Sequence, residues 1–386
     1  MRRTIFTEEH ELFRETARTF YLRECVPYAE QWERDGQVDR AAWLAAGKAG
    51  LIGWQFPEEY GGQGVVDFRY NAIMAEEMAA TGAVGIGLGL QNDVVPPYLM
   101  RLTTPEQKAR WLPGVISGAT ICALALSEPS AGSDLKGIRT TARRDGDEWV
   151  IDGSKTFITN GILADLVIVA CKTDPEAGHK GISLIVVERG AEGFERGRKL
   201  DKVGMKAQDT AELFFREVRV PADNLIGQEG RGFYHMMGNL PTERLAIAVS
   251  SLASAEKAFG VTLAYAKDRT AFGRPIGEFQ ANRFALADMK ARIAAARGYL
   301  DGCIMALVGG ELTADEAAAA KYWTTETCWE VIDRCMQLHG GYGYVNEYEI
   351  ARIWRDSRVQ RVFGGTSEIM QEIVGRSLGL QAGVID

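Results

Sequence analysis

The rhythm of hydrophobic and polar positions changes twice along this chain. Up to about residue 120 the apolar residues recur at helical spacing. Thr7 is placed to N-cap a first helix, and Glu8 and Glu9 suit its first turn. Leu12, Phe13, Ala17, Phe20 and Tyr21 then follow with the periodicity of one buried face. The run Gly82-Ala-Val-Gly-Ile-Gly-Leu-Gly-Leu90 is glycine-rich but apolar. It misses the GxGxxG register and no strand leads into it, so it predicts a helix packed closely through small residues rather than a phosphate loop. From about 121 to 228 the rhythm shortens. Thr140 to Arg144, a turn at Asp145-Gly146, Glu148 to Ile151 and a turn at Asp152-Gly153 read as strands and tight turns. Leu166 to Ala170, Ile182 to Val187 and Ala211 to Val220, closed by Pro221, are further runs of strand length. Short antiparallel strands argue a small barrel or sandwich. From about 229 to 386 long helices return. One runs from near Thr242 to Asp268 and another from about Phe279 to Val308. The capping box Thr313-Ala-Asp-Glu316 opens a third, and a last one starts near Thr366. Four long helices with short loops suggest a bundle. The chain is therefore expected to be α+β, with an N-terminal helical domain (1–120), a middle antiparallel β domain (121–228) and a C-terminal bundle (229–386).

Composition narrows the picture. A length of 386 residues is too great for one ordinary core. The chain is 46% hydrophobic and 25% charged, as globular proteins are. It contains no apolar run of about eighteen residues, so no membrane span is expected. The net charge of −8 argues against nucleic acid as a main partner. The N-terminus turns acidic and amphipathic at once, unlike a secretory or transit peptide, and a cytoplasmic location is the expectation. Cys25, Cys122, Cys171, Cys303, Cys328 and Cys335 form no CxxC pair and read as buried thiols in a reduced compartment. Four histidines without HExxH give no metal site.

Two segments carry chemistry. Ala125-Leu-Ser-Glu-Pro-Ser-Ala-Gly-Ser-Asp134 packs small hydroxyls and glycine around a proline turn, where backbone donors can approach a flat polar ligand. An ordinary solvated turn has the same composition. In Gly153-Ser-Lys-Thr-Phe-Ile-Thr-Asn-Gly161, Phe157 and Thr159 lie two apart and share one side of a strand. That pairing suits a stacked heteroaromatic ring, and equally a half-buried strand.

In order and spacing, these two segments resemble the paired signatures of the acyl-coenzyme A dehydrogenases. Lys202-Val-Gly-Met-Lys-Ala-Gln-Asp-Thr210 resembles the family's β-domain loop. Asp268-Arg-Thr-Ala-Phe-Gly-Arg-Pro-Ile276 with Phe279-Gln280 resembles its bundle turn. Gln337-Leu-His-Gly-Gly-Tyr-Gly343 and Gly365-Thr-Ser-Glu-Ile369 resemble its C-terminal cofactor loops. The similarity is strongest to the long-chain and isovaleryl branch. It implies noncovalent FAD, with Leu124 to Ser133 lining the flavin, Ser127 near its pyrimidine edge, Phe157 covering the ring and Thr159 bonding its reactive nitrogen. It implies that Arg269, Gln280 and Gln337 to Gly341 (Gly340 included) hold the adenine dinucleotide end from a neighbouring subunit of a homotetramer. Thr366 and Glu368 would close over the flavin. Ser133 and Tyr234 would line the thioester path, with Arg244 beside the base and Gly364 and Gly365 at the substrate carbonyl.

The base departs from the family's commoner pattern. Most members place a glutamate just before the Gly-Thr of the last loop, where this chain has Val362-Phe-Gly-Gly-Thr366. Glycine cannot take a proton. The long-chain and isovaleryl branch carries its base in a Leu-x-x-Glu-Arg sequence, matched here by Leu240-Pro-Thr-Glu-Arg244. Glu243 is therefore the expected base, although a glutamate early in a helix after proline also suits the helix dipole. The implied activity is dehydrogenation of a fatty acyl-CoA to a trans-2-enoyl-CoA, as in fatty acid β-oxidation, with electrons passing to an electron-transferring flavoprotein. The alternatives are a short branched-chain dehydrogenase, an acyl-CoA oxidase and a non-catalytic flavoprotein of the same fold.

Overall fold

The computed structural model describes residues 3–380 apart from Val84. The N-terminal region holds helices α1 (Glu8–Phe20), α2 (Ala29–Asp35), α3 (Arg40–Lys48), α4 (Phe68–Thr81), α5 (Val95–Arg101) and α6 (Pro105–Ile116). Thr7 caps α1 as its sequence indicates, with its hydroxyl and backbone N–H both meeting Nδ1 of His10. The buried face of α1 is His10, Ala17 and Phe20, whereas Leu12 turns outward. Trp32, Trp43 and Trp54 anchor the core these helices share.

The middle of the chain forms, among the described residues, an eight-stranded sheet. Its strands are β1 (Cys122–Ala125), β2 (Thr141–Asp145), β3 (Glu148–Thr159), β4 (Leu166–Lys172), β5 (Ile182–Glu188), β6 (Phe194–Lys199), β7 (Thr210–Pro221) and β8 (Leu225–Ile226). The spatial order is β6-β7-β3-β2-β4-β5-β8, with β1 beside β4. Pairing is mostly antiparallel, but β1 and β2 run parallel to β4. Alternation along β4 serves two cores. Val167, Val169 and Cys171 face Trp149, Phe215 and Val218 inside the curled sheet. Leu166, Ile168 and Ala170 pack outward on Tyr98 and Leu99 of α5 and Trp111 of α6. Burial on both faces is why this strand reads as a continuous apolar run.

The C-terminal region contains α7 (Gly232–Asp268), α8 (Gln280–Val308), α9 (Ala314–Leu338) and α10 (Glu349–Ser357) around one apolar core, with α11 (Ser367–Ser377) packed on α9. Thr313 and Glu316 form the expected capping box of α9, and Thr366 N-caps α11.

The structure corrects four sequence expectations. Asp152-Gly153 is not a turn: β3 continues to Thr159, passing through a register shift between Ile151 and Gly153, because β7 is long enough to pair with both halves. Gly82 to Leu90 is not one helix. Gly82 ends α4 at φ 75° and Gly85 sits at φ 85°, left-handed values that helical backbone excludes. The helix toward Asp268 begins at Gly232, not near Thr242, and carries Pro241 in its interior. Among the described residues the last helix expected in the bundle, α11, is short, and a further short helix, α10, precedes it.

Candidate active site

A cavity of about 420 Å³ lies where the three regions meet. α4, the loop after it, α7 and α10 form its walls, and the β-domain segments Leu124–Ser127 and Phe157–Thr159 close one side. Glu243, Phe363 and Gly364 line it as well. The expected base, the two flavin signatures and the residue that replaces the commoner glutamate thus share one enclosure.

Glu243 sits deep in α7, well beyond its first turn, so the dipole reading does not apply to it. Its carboxyl is shut away from water, and burial pushes its pKa up to about 7. Tyr98, fully buried on α5, donates its hydroxyl to Oε1 of Glu243 at 3.4 Å and pulls the pKa partly back. Arg244 is also buried. It forms no ion pair with any described residue, its Nε lacks a hydrogen-bond partner, and burial lowers its pKa. The structural ion-pair role that a buried arginine would usually have is absent here.

The two signature segments are bolted together. Lys155 is fully buried and donates to Leu126 O at 3.1 Å and to Glu128 Oε1 at 2.8 Å. Glu128 in turn accepts the backbone N–H groups of Arg139 (2.5 Å) and Thr140 (3.0 Å), and Thr156 N–H donates to Ser127 O at 3.0 Å. Phe157 lies at φ 59° in a strand, a strained conformation for a residue with a Cβ, and its ring is 70% exposed. The strand bulges between Lys155 and Ile158, so the bulge, not simple alternation, brings Phe157 and Thr159 to the same cavity. A strained, exposed aromatic face beside a hydroxyl fits a flat heteroaromatic ligand.

Gly364 has φ 64°, and a Cβ there would stand 2.3 Å from Cδ1 of Ile247. Its N–H is donated to no described residue. Lys321 of α9, fully buried, donates to the carbonyl of Gly365 at 2.8 Å, and burial pushes its pKa down to about 8. Glu326, one turn on, grips the same loop through Arg361 at 2.6 Å and through the hydroxyl of Ser367.

Other expected residues lie outside the cavity lining. Ser133 is exposed in its loop, and Tyr234 is a surface residue whose hydroxyl meets His179 Nε2 at 3.3 Å. Arg269 packs over the ring of Tyr342 at 5.5 Å, which gathers it with the exposed Gly340–Gly341 turn; Gln280 and Gln337 are likewise exposed. Thr366 caps α11, and Glu368 is exposed in its first turn. Cys122 and Cys171 are fully buried and burial raises both thiols, as suits core residues.

Reading the sequence alone missed Tyr98, Lys155, Glu128 and Lys321. Lys321 left one signal, a single cation after the alanine run Ala317–Ala320 in a helix with an apolar face. The Tyr98 contact has none, because it joins residues far apart in sequence.

Three family models match the chain: acyl-CoA dehydrogenase N-terminal domain at residues 7–119, middle domain at 123–218 and C-terminal domain at 230–379. The long-chain specific acyl-CoA dehydrogenase of Rattus norvegicus is 46% identical over 97% of this chain and 88% of its own length. The isovaleryl-CoA dehydrogenase of Solanum tuberosum is 38% identical over 97% of this chain and 91% of its own. Among solved structures, an acyl-CoA dehydrogenase from Geobacillus kaustophilus aligns with TM-score 0.95 at 48% identity, covering 97% of this chain and 99% of that one. A chain from the electron transferring flavoprotein structure of Acidaminococcus fermentans aligns with TM-score 0.92 at 35% identity, covering 99% and 100%.

Proposed function

The chain belongs to the acyl-CoA dehydrogenase family, and from that premise we propose that Glu243 is its catalytic base, FAD its cofactor and a medium- to long-chain acyl-CoA its substrate. One observation carries the reading: the carboxyl of Glu243 is desolvated inside the cavity that also holds Phe157, Thr159 and Gly364. A pKa near 7 suits a base at neutral pH, since the group is partly ionised yet holds a proton well.

The hydrogen α to a thioester is weakly acidic, so its removal needs donors placed where the carbonyl oxygen gains charge. The undonated N–H of Gly364 fits that role, and the absence of a side chain lets the thioester approach. Lys321 and Glu326 hold this loop from α9. Tyr98 keeps a share of Glu243 ionised within its desolvated surroundings. Phe157 and Thr159 fit the ring of FAD, and Leu124 to Ser127 its edge. Bound there, FAD supplies the acceptor for the hydride that leaves the β carbon. The trans-2-enoyl thioester is the product.

The cavity face of α7 runs from Glu243 to Lys257, a distance of about 21 Å at 1.5 Å per residue. One leaflet's share of a bilayer's hydrocarbon core is about 15 Å, so an extended fatty chain has room. The position of Arg269 and the Gly340–Gly341 turn outside the cavity supports their serving a neighbouring subunit's cofactor in a homotetramer. Similarity to a chain of the Acidaminococcus flavoprotein structure supports an electron-transferring flavoprotein as acceptor.

Anaerobic flavin bleaching by acyl-CoAs of graded length tests the reading. Glu243→Gln is expected to retain FAD and lose at least 10³-fold in bleaching rate, in line with removal of a general base. Full-speed bleaching in that variant would remove Glu243 from the role.

A further inference from the structure

Accepting the reading that the acyl chain starts at Glu243, we propose that an ion pair between Lys257 and Glu349 plugs the opposite end of the cavity and limits the length of acyl chain accepted. Two helices locate that end independently. On α7 the lining positions Glu243, Ile247, Ser250, Ser254 and Lys257 form one stripe leading away from the base. On α10 and the turn after it the lining runs the other way, from Glu349 and Arg352 back to Gly364. The two stripes pair Glu243 with Gly364 at one end and Lys257 with Glu349 at the other.

The plug is built from three elements. Lys257 Nζ lies 3.3 Å from Glu349 Oε1 and donates to Ala80 O at 3.2 Å, at the end of α4. Arg352 donates to Gly82 O at 3.1 Å and lies 3.7 Å from the same Oε1. Gly82 leaves the space: a Cβ there would stand 2.7 Å from Glu349 Oε1. Before the plug the walls are small, with Ala75, Ala79, Gly85 and Gly89 among them. Beyond it, Lys257 borders a second cavity lined by Arg14, Glu76, Glu77 and Glu256, the members of an ion-pair cluster.

Hydrocarbon gains nothing by entering that charged space. The plug itself is partly in water, with 24% of the Lys257 side chain and 31% of Glu349 exposed, so its charges remain solvated on the outer side. A methyl terminus that reaches it must either fold back or separate the pair. Each methylene that finds apolar burial adds about fourfold to affinity; a methylene that meets the plug adds none.

The experiment is a series of saturated acyl-CoAs, read by kcat/KM and, independently, by calorimetric binding to the FAD-loaded protein. In the natural protein both quantities should climb with length and then break. In Lys257→Ala and Glu349→Ala the break should move at least two methylenes longer, raising the long-to-short ratio about 15-fold. Ser254→Phe, which narrows the cavity one turn before the plug, should move the break shorter. An unchanged break in both alanine variants, each melting cooperatively and holding flavin, would overturn the plug. Failure of every acyl-CoA to bleach the natural protein would instead sink the substrate reading, and the binding series would still locate the break.

Discussion

Glu243 owes its raised pKa to what surrounds it, and single-residue changes should move it in calculable directions. The Tyr98 hydroxyl stabilises the carboxylate form, so Tyr98→Phe should raise the Glu243 pKa above its value of about 7. The acid limb of the kcat/KM profile should then shift to higher pH. At pH 7 the rate should fall severalfold, and near pH 9 it should recover; an unshifted limb would show that Tyr98 does not tune the base. Gly364 is the other decisive residue. Restoring a glutamate there is sterically opposed, because φ 64° is strained for any residue with a Cβ and Ile247 occupies the space. Gly364→Glu in a Glu243→Gln background should therefore recover little bleaching, and adding Ile247→Ala should recover more. Equal recovery with and without the Ile247 change would rule out this packing explanation.

At the scale of elements, the site depends on features that break regular structure. Pro241 interrupts the hydrogen-bond ladder of α7 two residues before Glu243, since proline has no N–H to return to the preceding turn. The β3 bulge turns Phe157 into the cavity. The glycine loop after α4 forms a wall because it packs where side chains cannot: a Cβ at Gly85 would lie 2.4 Å from Cβ of Ala207, and one at Gly87 would lie 2.9 Å from Oδ1 of Asn160. Gly85→Ala should cost about 1–3 kcal/mol by overpacking and φ strain together. Urea unfolding would measure it, and a loss under about 0.5 kcal/mol, the range of ordinary surface changes, would show the loop to be looser than its contacts indicate.

For the whole molecule, placing carboxyls in a dry cavity has a cost that depends on pH. Burial raises Glu243 from 4.5 to about 7 and Asp93, also on the cavity wall, from 3.8 to about 7. Groups with raised pKa bind protons more tightly in the folded state, so their contribution to stability is greatest below about pH 4 and is lost as pH rises to 7. Replacing Glu243 by glutamine removes its share. The melting temperature of Glu243→Gln should exceed that of the natural protein above pH 7, and the gap should close toward pH 4.5. A gap independent of pH would mean that the carboxyl is better solvated than its burial implies.

The sequence by itself determined the family and the helix–sheet–helix order, and it singled out Glu243 as the candidate base, because those rest on local periodicity, caps and short collinear motifs. Leu240 to Arg244 marked Glu243, and Thr313 with Glu316 marked the start of α9, without any knowledge of packing. Only the tertiary structure decided that Pro241 lies inside α7, that Gly82 to Gly87 is a wall rather than a helix, and that Tyr98, Lys155 and Lys321 support the site. Each of those depends on contacts between segments far apart in the chain. The burial that raises the pKa of Glu243 to about 7, and the contact of Lys257 with Glu349, arise only when those segments meet.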